Sequence, residues 1–579
     1  MNRLNKKIGL ALAAVMAAGV LPGVAMAAPV ASTVQVPPEL QHQRDNVVGK
    51  MQQQAQKQAQ GAMPTPQQPA QAEIENGQTP AETTQDEVHF TIRNFRLEAL
   101  ELYLNEDDLS AILEKSMGHD LTLTDLNRTV NEVTRYARMH GYPAAAAYVP
   151  AQESKDGVVL IKMIPGRFGA VHLDNRSKLK NSVAEGFLHG VKAGDIIQSK
   201  DLETLLYSIS DVSGTKAVGV LSPGKEFGTS DLTVRIENGK GTNTVLYTEN
   251  YGAKTSGRYR LGVQHSIYDV NGTGAKVNVG GLISNKNLHN YYVNYETLVG
   301  HGGTTLGFGV SRMDYDLGAS LNRLNATGIA TTYSIFGSRP LYHLTSRQMQ
   351  FNYGYNYRNL HDDLNFEGAE LDSAKHSNSV YAGLSGYWKR NNFLTNYDFK
   401  VTTGKMTPNS DYARASDEGH NHDAGHYTKA EINLSSVVGT GHRSDLLIKL
   451  AAQTANHNLD GSEELSLGGA NGVRAYPQGE GSGDIGWMGT AEWRMYTDVP
   501  GLVPSIYFDA GHVKYSKDGV LQGTESGITL KGWGIGLAYS QPSDWFARLD
   551  YARRVGGDPN LSSEAKAKNR CWFLMGKIW

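Results

Sequence analysis

Residues 349–357 read MQFNYGYNY, in which every second residue is apolar or aromatic and the residues between them are polar or glycine. Successive side chains of a β-strand point to opposite faces of the sheet, so this segment has one apolar face and one polar face. Residues 532–540, GWGIGLAYS, and residues 259–267, YRLGVQHSI, follow the same pattern. Each run has about the ten-residue length of a tilted membrane-crossing strand. The pattern therefore predicts a β-barrel whose apolar face meets lipid.

The same alternation predicts sixteen antiparallel strands between Val245 and Trp579. One set of connections consists of short turns, such as residues 271–274, and the other set includes long loops, such as residues 456–484. This sidedness is typical of an outer-membrane barrel, whose short turns face the periplasm. A soluble β-sandwich also alternates, but it would not place so many polar and glycine positions on one face of a continuous sheet. We therefore predict a monomeric transmembrane barrel over residues 239–579, surrounded by outer-membrane lipid.

The N-terminus has the pattern of a secretory signal. Three positive residues lie within residues 3–7, an apolar run follows at residues 8–20, and Ala25-Met26-Ala27 offers a cleavage site between small residues. The apolar run is too short for a membrane-spanning helix. We predict a signal peptide over residues 1–28.

Residues 29–86 are rich in glutamine, alanine and proline. We divide them into an N-terminal helix, at about residues 39–60, and a linker, because the prolines after residue 63 cannot continue a helix. Composition alone favours a disordered leader over residues 39–60. The alternative is a mobile polar helix that lodges in a water-filled space.

Between the linker and the barrel, the element order β-α-α-β-β occurs twice, over residues 87–166 and 167–238. Thr124 is the expected N-cap of the second helix in the first unit. Each unit is large enough for a modest core, and a single α+β domain of twice the size is the alternative. Because the first barrel strand must begin on the periplasmic side, both units are expected in the periplasm.

Charge and motifs exclude several classes of protein. The net charge is -3 without a long basic block, which gives no reason to expect nucleic acid as a partner. The single cysteine, Cys571, cannot form an intramolecular disulfide, and we find no hydrolase, nucleotide-binding or zinc-protease motif. The nearest metal-ligand pattern, His420, His422, Asp423 and His426, is interpreted as a solvated loop. We predict no catalysis, no cofactor and no metal ion.

The most informative loop follows the eleventh predicted strand. It reads LGGANGVRAY at residues 467–476 and SGD at residues 482–484. Two strands later, the chain reads YFDAG at residues 507–511. The alternation there turns Phe508 toward lipid, so Asp509 is expected to face the lumen.

These residues resemble the two-partner secretion transporters, the TpsB family of haemolysin and filamentous-haemagglutinin exporters. Further matches are ENYG at residues 249–252, TSGRY at residues 255–259 and VPAQ at residues 149–152. The resemblance covers nearly the whole mature chain. Ala475 departs from the family, which usually has glycine there, and Pro165 stands where a glutamate commonly precedes Gly166.

The resemblance implies two periplasmic POTRA domains, at residues 87–166 and 167–238, followed by a sixteen-strand barrel. It also implies a sixth loop, about residues 455–485, that folds inward and carries a Val-Arg-Gly-Tyr motif, matched here from Val473 to Tyr476. An arginine can hold a carboxylate through two parallel charge-assisted hydrogen bonds. We therefore predict that Arg474 and Asp509 lock this loop.

The remaining residues of the loop motif that we assign to the site are Val473, Tyr476, Gly483 and Asp484. The implied function is an outer-membrane translocation pore that recognises an unfolded, large β-rich exoprotein through the POTRA domains and exports it. The alternative is an insertase of similar architecture that assembles other barrels in the outer membrane. A small-solute porin is disfavoured, because it needs no periplasmic POTRA pair. The resemblance further implies that the polar N-terminal helix occupies the resting pore.

Overall fold

The computed structural model describes residue 36 and residues 38–59, 73–76, 90–99, 101–153, 157–212, 214–519, 526–557 and 561–579. The predicted signal peptide, residues 1–28, and most of the predicted linker lie outside the described residues. None of the helices within the described ranges is long and apolar enough to cross a membrane.

The first described elements are helix α1 (Pro38–Ala59) and the short strand β1 (Glu73–Asn76). Helix α1 consists mainly of glutamine, alanine, lysine and other residues that favour the helix. The disordered leader that composition favours is therefore wrong for residues 38–59. Composition could not reveal the surroundings that hold this polar helix, which are described below.

The first α+β unit contains β2 (Phe90–Thr91), β3 (Asn94–Glu98), α2 (Glu106–Glu114), β4 (Asp120–Leu121), α3 (Leu123–Met139), β5 (Ala146–Tyr148) and β6 (Val158–Ile164). Its main sheet has the order β3-β6-β5. Helix α3 buries Val133 and Ala137 against this sheet, where Ile161 is also fully buried. The unit thus has its own apolar core.

Thr122, and not Thr124, caps helix α3. The Thr122 hydroxyl accepts a hydrogen bond from the Asp125 backbone N–H (3.1 Å), and the Asp125 carboxylate accepts one from the Thr122 N–H (3.1 Å). This reciprocal pair is a capping box, which satisfies two backbone donors at once. The helix therefore begins at Leu123, two residues before the point that a Thr124 cap would give.

The second α+β unit contains β7 (Arg167–Asn175), α4 (Asn181–Leu188), α5 (Ser199–Ser210), β8 (Thr215–Pro223) and β9 (Thr229–Asn238). Its sheet has the order β1-β8-β9-β7, so β1 from the preceding chain adds a strand at one edge. Leu206, Leu232 and Ile236 lie in a second buried cluster, separate from that of the first unit.

Sixteen antiparallel strands then form one closed barrel, which confirms the predicted fold class. They are β10 (Thr242–Glu249), β11 (Arg260–Val270), β12 (Ala275–Ser284), β13 (His289–Leu298), β14 (Thr305–Asp316), β15 (Thr327–Leu344), β16 (Arg347–Phe366), β17 (Ala369–Arg390), β18 (Phe393–Pro408), β19 (Gly425–Gly441), β20 (Ser444–Ala455), β23 (Ile485–Met495), β24 (Leu502–Lys514), β25 (Gly527–Ser540), β26 (Trp545–Arg554) and β27 (Asn569–Ile578). Strands β10 and β27 pair antiparallel and close the barrel.

Short elements lie in the connections between these strands. They are β21 (Leu465–Ser466), β22 (Ser482–Gly483), α6 (Asp411–Ser416), a π-helical turn (Asp417–Asn421) and two 3₁₀ turns (Ala319–Leu324 and Glu564–Lys566).

The barrel wall has an apolar outer face and a polar inner face. In β13, for example, Tyr291, Val293 and Tyr295 are exposed on the outside, whereas Asn290 and Asn294 are buried on the inside. Closure pairs the backbone of every strand with two neighbours, which is the condition for crossing lipid. The barrel therefore has a wide apolar exterior, of the kind that marks a surface of interaction.

Strands β15, β16 and β17 have 18, 20 and 22 residues, so the ten-residue length predicted from the alternation is wrong for them. In β16 the two faces exchange polarity along the strand. Tyr355 is exposed outward in the first half, but Asn359 and Asp363 are the exposed residues further along, where Leu360 and Leu364 are buried inward. The far end of this hairpin therefore stands in water beyond the lipid.

Candidate functional site

The connection between β20 and β23, residues 456–484, folds into the lumen, and nearly all of its residues are buried or half-buried. Its path depends on glycines. A Cβ atom on Gly472 would lie 2.0 Å from the Leu467 carbonyl oxygen, and one on Gly483 would lie 2.3 Å from the Lys514 carbonyl oxygen. No larger residue fits either position without a shift of the backbone. We call residues 456–484 the inward loop.

Arg474, at the tip of the inward loop, grips Asp509 on strand β24. The Arg474 Nε and Nη2 atoms donate to the two oxygens of Asp509, each over 2.9 Å, and the Arg474 backbone N–H donates to Oδ2 over 3.1 Å. Asp509 also accepts a hydrogen bond from the Thr490 hydroxyl (2.8 Å). Both charged side chains are buried. Arg474 and Asp509, which the sequence analysis predicts to interact, are thus in direct bidentate contact.

The pair is part of a larger charged cluster in the lumen. Arg474 Nη1 donates to Glu492 (3.0 Å) and to Asp550 (3.2 Å). Arg548 donates to the same two carboxylates, over 2.9 Å to Glu492 and 2.7 Å to Asp550. Two guanidinium groups therefore face three carboxylates, and each carboxylate has at least one charge-assisted hydrogen bond.

Sequence reasoning missed Glu492, Asp550 and Arg548. Each lies on a wall strand at a position where the alternation turns the side chain inward, and Arg548 and Asp550 are two residues apart on one face of β26. Alternation could have shown that they face the lumen. It could not have shown that they reach Arg474, because that depends on the register across four strands.

Two aromatic residues complete the surroundings of Arg474. Its guanidinium carbon lies 3.2 Å from the centre of the Tyr507 ring, a cation–π contact. The Trp572 indole N–H donates to the Arg474 carbonyl oxygen over 2.6 Å. Tyr507 and Asp509 are two residues apart on β24, so one strand supplies both an aromatic face and a carboxylate.

The residues beside Arg474 pack in a small apolar cluster against the wall. Val473, Ala475 and Tyr476 are all buried there. Ala475 has no positive φ angle, so it does not need the freedom of a glycine at this point. A Cβ atom on Gly532 of the wall would lie only 2.5 Å from the Ala475 Cβ. The extra methyl group of Ala475 therefore occupies space that a wall glycine leaves open.

Asp484 and Gly483 lie at the base of the inward loop, away from Arg474. The Asp484 carboxylate accepts hydrogen bonds from the backbone N–H groups of Leu459 (3.0 Å) and Lys517 (2.7 Å). It thereby joins the start of the inward loop to the connection between β24 and β25. The structure does not bring these two predicted site residues into the charged cluster.

A second anchor, which the sequence did not reveal, holds the first limb of the inward loop. Arg358 of β16 is fully buried and contacts both Ser462 (2.7 Å) and the Glu463 carboxylate. Lys429 of β19 lies 2.9 Å from the same carboxylate. Lys375 of β17 pairs with Asp460 over 2.9 Å. Three cations of the wall therefore hold one short acidic segment.

Helix α1 lies in the lumen against the inward loop. A Cβ atom on Gly49 would lie 2.1 Å from the Gly461 carbonyl oxygen, so the two backbones touch at this crossing. The Gln53 side-chain amide donates to the Glu464 carbonyl oxygen (2.6 Å), and Arg260 of the wall donates to Gln54 (3.3 Å). The helix is therefore held by backbone contact and amide hydrogen bonds.

A space of about 320 Å³ lies beside the loop tip. Its lining includes Asn433 and Lys449 of the wall and Asn471 of the loop. This volume corresponds to a small-molecule pocket.

In the part of the chain that the structure describes, the histidines of the loop after β18 are not grouped closely enough to share one metal ion. Within the described residues, the group of side chains with ligand atoms close enough for one ion is His361, Asp363 and Asp372. That group lies on the outer surface of the β16–β17 hairpin, and His420, His422 and His426 do not belong to it.

Two family models match the chain. Residues 228–539 match the family "Haemolysin secretion/activation protein ShlB/FhaC/HecB", and residues 90–166 match "POTRA domain, ShlB-type". The heme/hemopexin transporter protein HuxB of Haemophilus influenzae is 27% identical over 482 residues, which cover 82% of this chain and 84% of that protein.

Solved structures have the same fold. CdiB from Escherichia coli aligns with a TM-score of 0.64 and 19% identity, over 95% of this chain and 100% of that one. BamA from Haemophilus ducreyi, lacking POTRA domains 1–3, aligns with a TM-score of 0.50 and 14% identity, over 85% of this chain and 100% of that one.

Proposed function

The chain belongs to the haemolysin secretion/activation protein family ShlB/FhaC/HecB, and from this membership we propose how its barrel exports an exoprotein. It is an outer-membrane secretion transporter that works with a secreted exoprotein, and its POTRA region lies in the periplasm. The first α+β unit matches the POTRA model. We assign residues 167–238 as a second POTRA domain because they repeat its element order around a core of their own.

The observation that carries the proposal is the filled lumen. The inward loop and helix α1 touch at Gly49 and Gly461, and the loop is fixed to the wall by Arg474. This arrangement is a resting pore, closed to a polypeptide. Export therefore begins when an unfolded exoprotein, bound by the periplasmic domains, enters and α1 withdraws.

The transport step is passive. The sequence has no phosphate-binding loop, and the periplasm supplies no nucleotide. A β-rich exoprotein that folds outside gains roughly 5–15 kcal/mol, which opposes its return through the pore. Folding at the surface thus gives the passage its direction.

The role that we give to Arg474 and Asp509 is to keep the inward loop in its place while the exoprotein passes. We call this pair the loop lock. Its support is geometric: three hydrogen bonds join the two residues, and both are buried. We further propose that the barrel is monomeric and that lipid covers its apolar exterior.

The proposal is tested by co-expression. A large β-rich exoprotein is produced in a bacterial strain without such transporters, together with the wild-type chain or with an empty vector. We expect the exoprotein in the medium only when the chain is present. If the exoprotein stays in the periplasm while other outer-membrane barrels assemble faster, the insertase alternative, now supported by the BamA fold likeness alone, replaces our proposal.

A further inference from the structure

The periplasmic sheet of the second α+β unit carries a strand that does not belong to the repeated element order. Strand β1 pairs parallel with β8, joining Glu73 to Val218 and continuing to Asn76 opposite Leu221. Strand β1 comes from the chain between α1 and the first unit. The chain thus adds a strand of its own to the edge of this sheet.

The β8 edge is the best strand template in the periplasmic region that the structure describes. Strand β8 has nine residues and pairs with β9 without a bulge. The opposite edge of the same sheet, β7, has a register shift between Phe168 and Val171, and bulges of this kind make an edge unsuitable for pairing. The edges of the first unit are shorter, with five residues in β3 and three in β5.

Strand β1 covers this edge only weakly. It pairs with four of the nine residues of β8, and a parallel pair is slightly less stable per residue than an antiparallel one. An incoming extended segment can pair with the whole of β8 through backbone hydrogen bonds, the usual basis of affinity when a strand is added to a sheet edge. Replacement of β1 by a longer segment is therefore favourable, because the longer segment forms more backbone hydrogen bonds with β8.

We propose that the β8 edge, residues 215–223, is the docking strand for the unfolded exoprotein, and that β1 occupies it in the resting transporter until the exoprotein replaces it. The partner is an extended, β-forming polypeptide segment, recognised through its backbone. This inference rests on the proposed export function, which it deepens by naming the docking strand and its resting occupant.

A reversible cross-link tests the exchange. Glu75 and Val220 are direct partners in the β1–β8 pair, and neighbouring strands lie about 4.8 Å apart, within the range that a disulfide spans. In a Cys571→Ser background, Glu75→Cys with Val220→Cys fixes β1 on β8 when oxidised. We expect exoprotein secretion to fall at least tenfold under oxidising conditions and to recover with reductant.

The controls separate this proposal from the export function itself. The Cys571→Ser chain must secrete normally, and the double variant kept reduced is the reference for the same chain when oxidised. A failure of Cys571→Ser to secrete would count against the export function. If the oxidised double variant secretes as well as Cys571→Ser, the docking proposal is wrong, although export stands.

Binding to the purified, detergent-solubilised chain gives a second test that needs no transport. Ile74→Pro removes a backbone N–H from β1, whereas Ile74→Ala keeps it. The probe is the unfolded N-terminal fragment of the exoprotein that the wild-type chain secretes. We expect Ile74→Pro to bind this fragment about tenfold more tightly than Ile74→Ala does. Equal or weaker binding by Ile74→Pro would overturn the proposal.

Discussion

Arg474 donates five hydrogen bonds to carboxylates through its backbone and side-chain nitrogens, and it does so in a buried part of the lumen. Removing one partner of a buried charged group costs about 3–5 kcal/mol, mainly because the remaining charges lose their compensation. Without Arg474, Glu492 and Asp550 would keep Arg548 as their partner, whereas Asp509 would keep only the neutral Thr490 hydroxyl among these hydrogen-bond donors. The inward loop would then lose its hold on the wall.

We therefore expect Arg474→Ala to lower exoprotein secretion at least tenfold while the barrel still assembles. Arg474→Lys should give an intermediate level, because lysine cannot form the bidentate contact. The measurements are the amount of exoprotein in the medium and the heat-modifiable migration of the barrel. Arg323→Ala is the matched control, since Arg323 forms an exposed ion pair with Glu367. Normal secretion by Arg474→Ala would contradict the loop lock.

The packing of Ala475 against Gly532 gives a second prediction at this scale. Gly532→Ala places a methyl group where the Ala475 Cβ already lies, and overpacking of this kind costs about 1–3 kcal/mol. We expect the melting temperature of the purified barrel to fall. Ala475→Gly in the same chain should restore it, because it removes the clashing atom. A double variant no more stable than Gly532→Ala alone would show that the two residues do not compete for space.

Single residues also show which parts of the site can be predicted from the sequence. Asp509 could be placed in the lumen because the alternation around Phe508 is unambiguous, and Arg474 followed from its motif. Glu492 and Asp550 needed the pairing register of the wall, which alternation does not give. Thr124 has the residue type of an N-cap, but the capping box with Asp125 is formed by Thr122.

Helix α1 is the element whose surroundings matter most. Its residues are mostly polar, so isolated composition suggests a disordered leader, but the lumen supplies backbone contact at Gly461 and polar partners such as Arg260. Marginal helices of this kind gain most of their stability from packing. Contacts with residues far away in the sequence thus determine that residues 38–59 form a helix.

Gly49→Ala should loosen the helix in the lumen. The new Cβ would lie 2.1 Å from the Gly461 carbonyl oxygen, so the helix must move away from the inward loop. We expect a several-fold higher mean conductance in planar lipid bilayers, and we expect deletion of residues 51–60 to raise the conductance as well. Arg323→Ala, which removes an exposed ion pair outside the helix, is the control and should conduct like the wild type. Unchanged conductance in both the Gly49→Ala and the deletion variants would exclude a plugging role for α1.

At the scale of the whole molecule, the polarity of each barrel strand depends on whether it lies inside or outside the membrane. Alternation gave the number of strands and the apolar exterior correctly, because both depend on a period of two along each strand. It failed to give the length of β15, β16 and β17, because a strand that leaves the lipid keeps the period and only exchanges the polarity of its faces. Leu360 and Asp363 show this exchange in β16.

This orientation predicts which positions are accessible from outside the cell. In a Cys571→Ser background, Asp363→Cys should react with a membrane-impermeant maleimide on intact cells. Phe351→Cys, on the lipid-facing part of the same strand, and Asn391→Cys, in a short periplasmic turn, should remain unlabelled. Asn391→Cys should react once the outer membrane is made permeable. Labelling of Asn391→Cys on intact cells would reverse the orientation.

The inward loop and helix α1 are held in the lumen by different numbers of charged contacts. This difference determines which of the two segments leaves the lumen first. The acidic limb of the inward loop is tied to the wall by Arg358, Lys429 and Lys375, and hydrogen bonds to charged groups contribute about 1.5–3 kcal/mol each. Among its described side chains, helix α1 has one such bond, from the Arg260 guanidinium to Gln54, and the neutral bond from the Gln53 amide to the Glu464 carbonyl oxygen contributes about half as much. A force from the periplasmic side therefore removes helix α1 from the lumen before it moves the inward loop. The inward loop then still narrows one side of the barrel, and a chain that passes through must run along it.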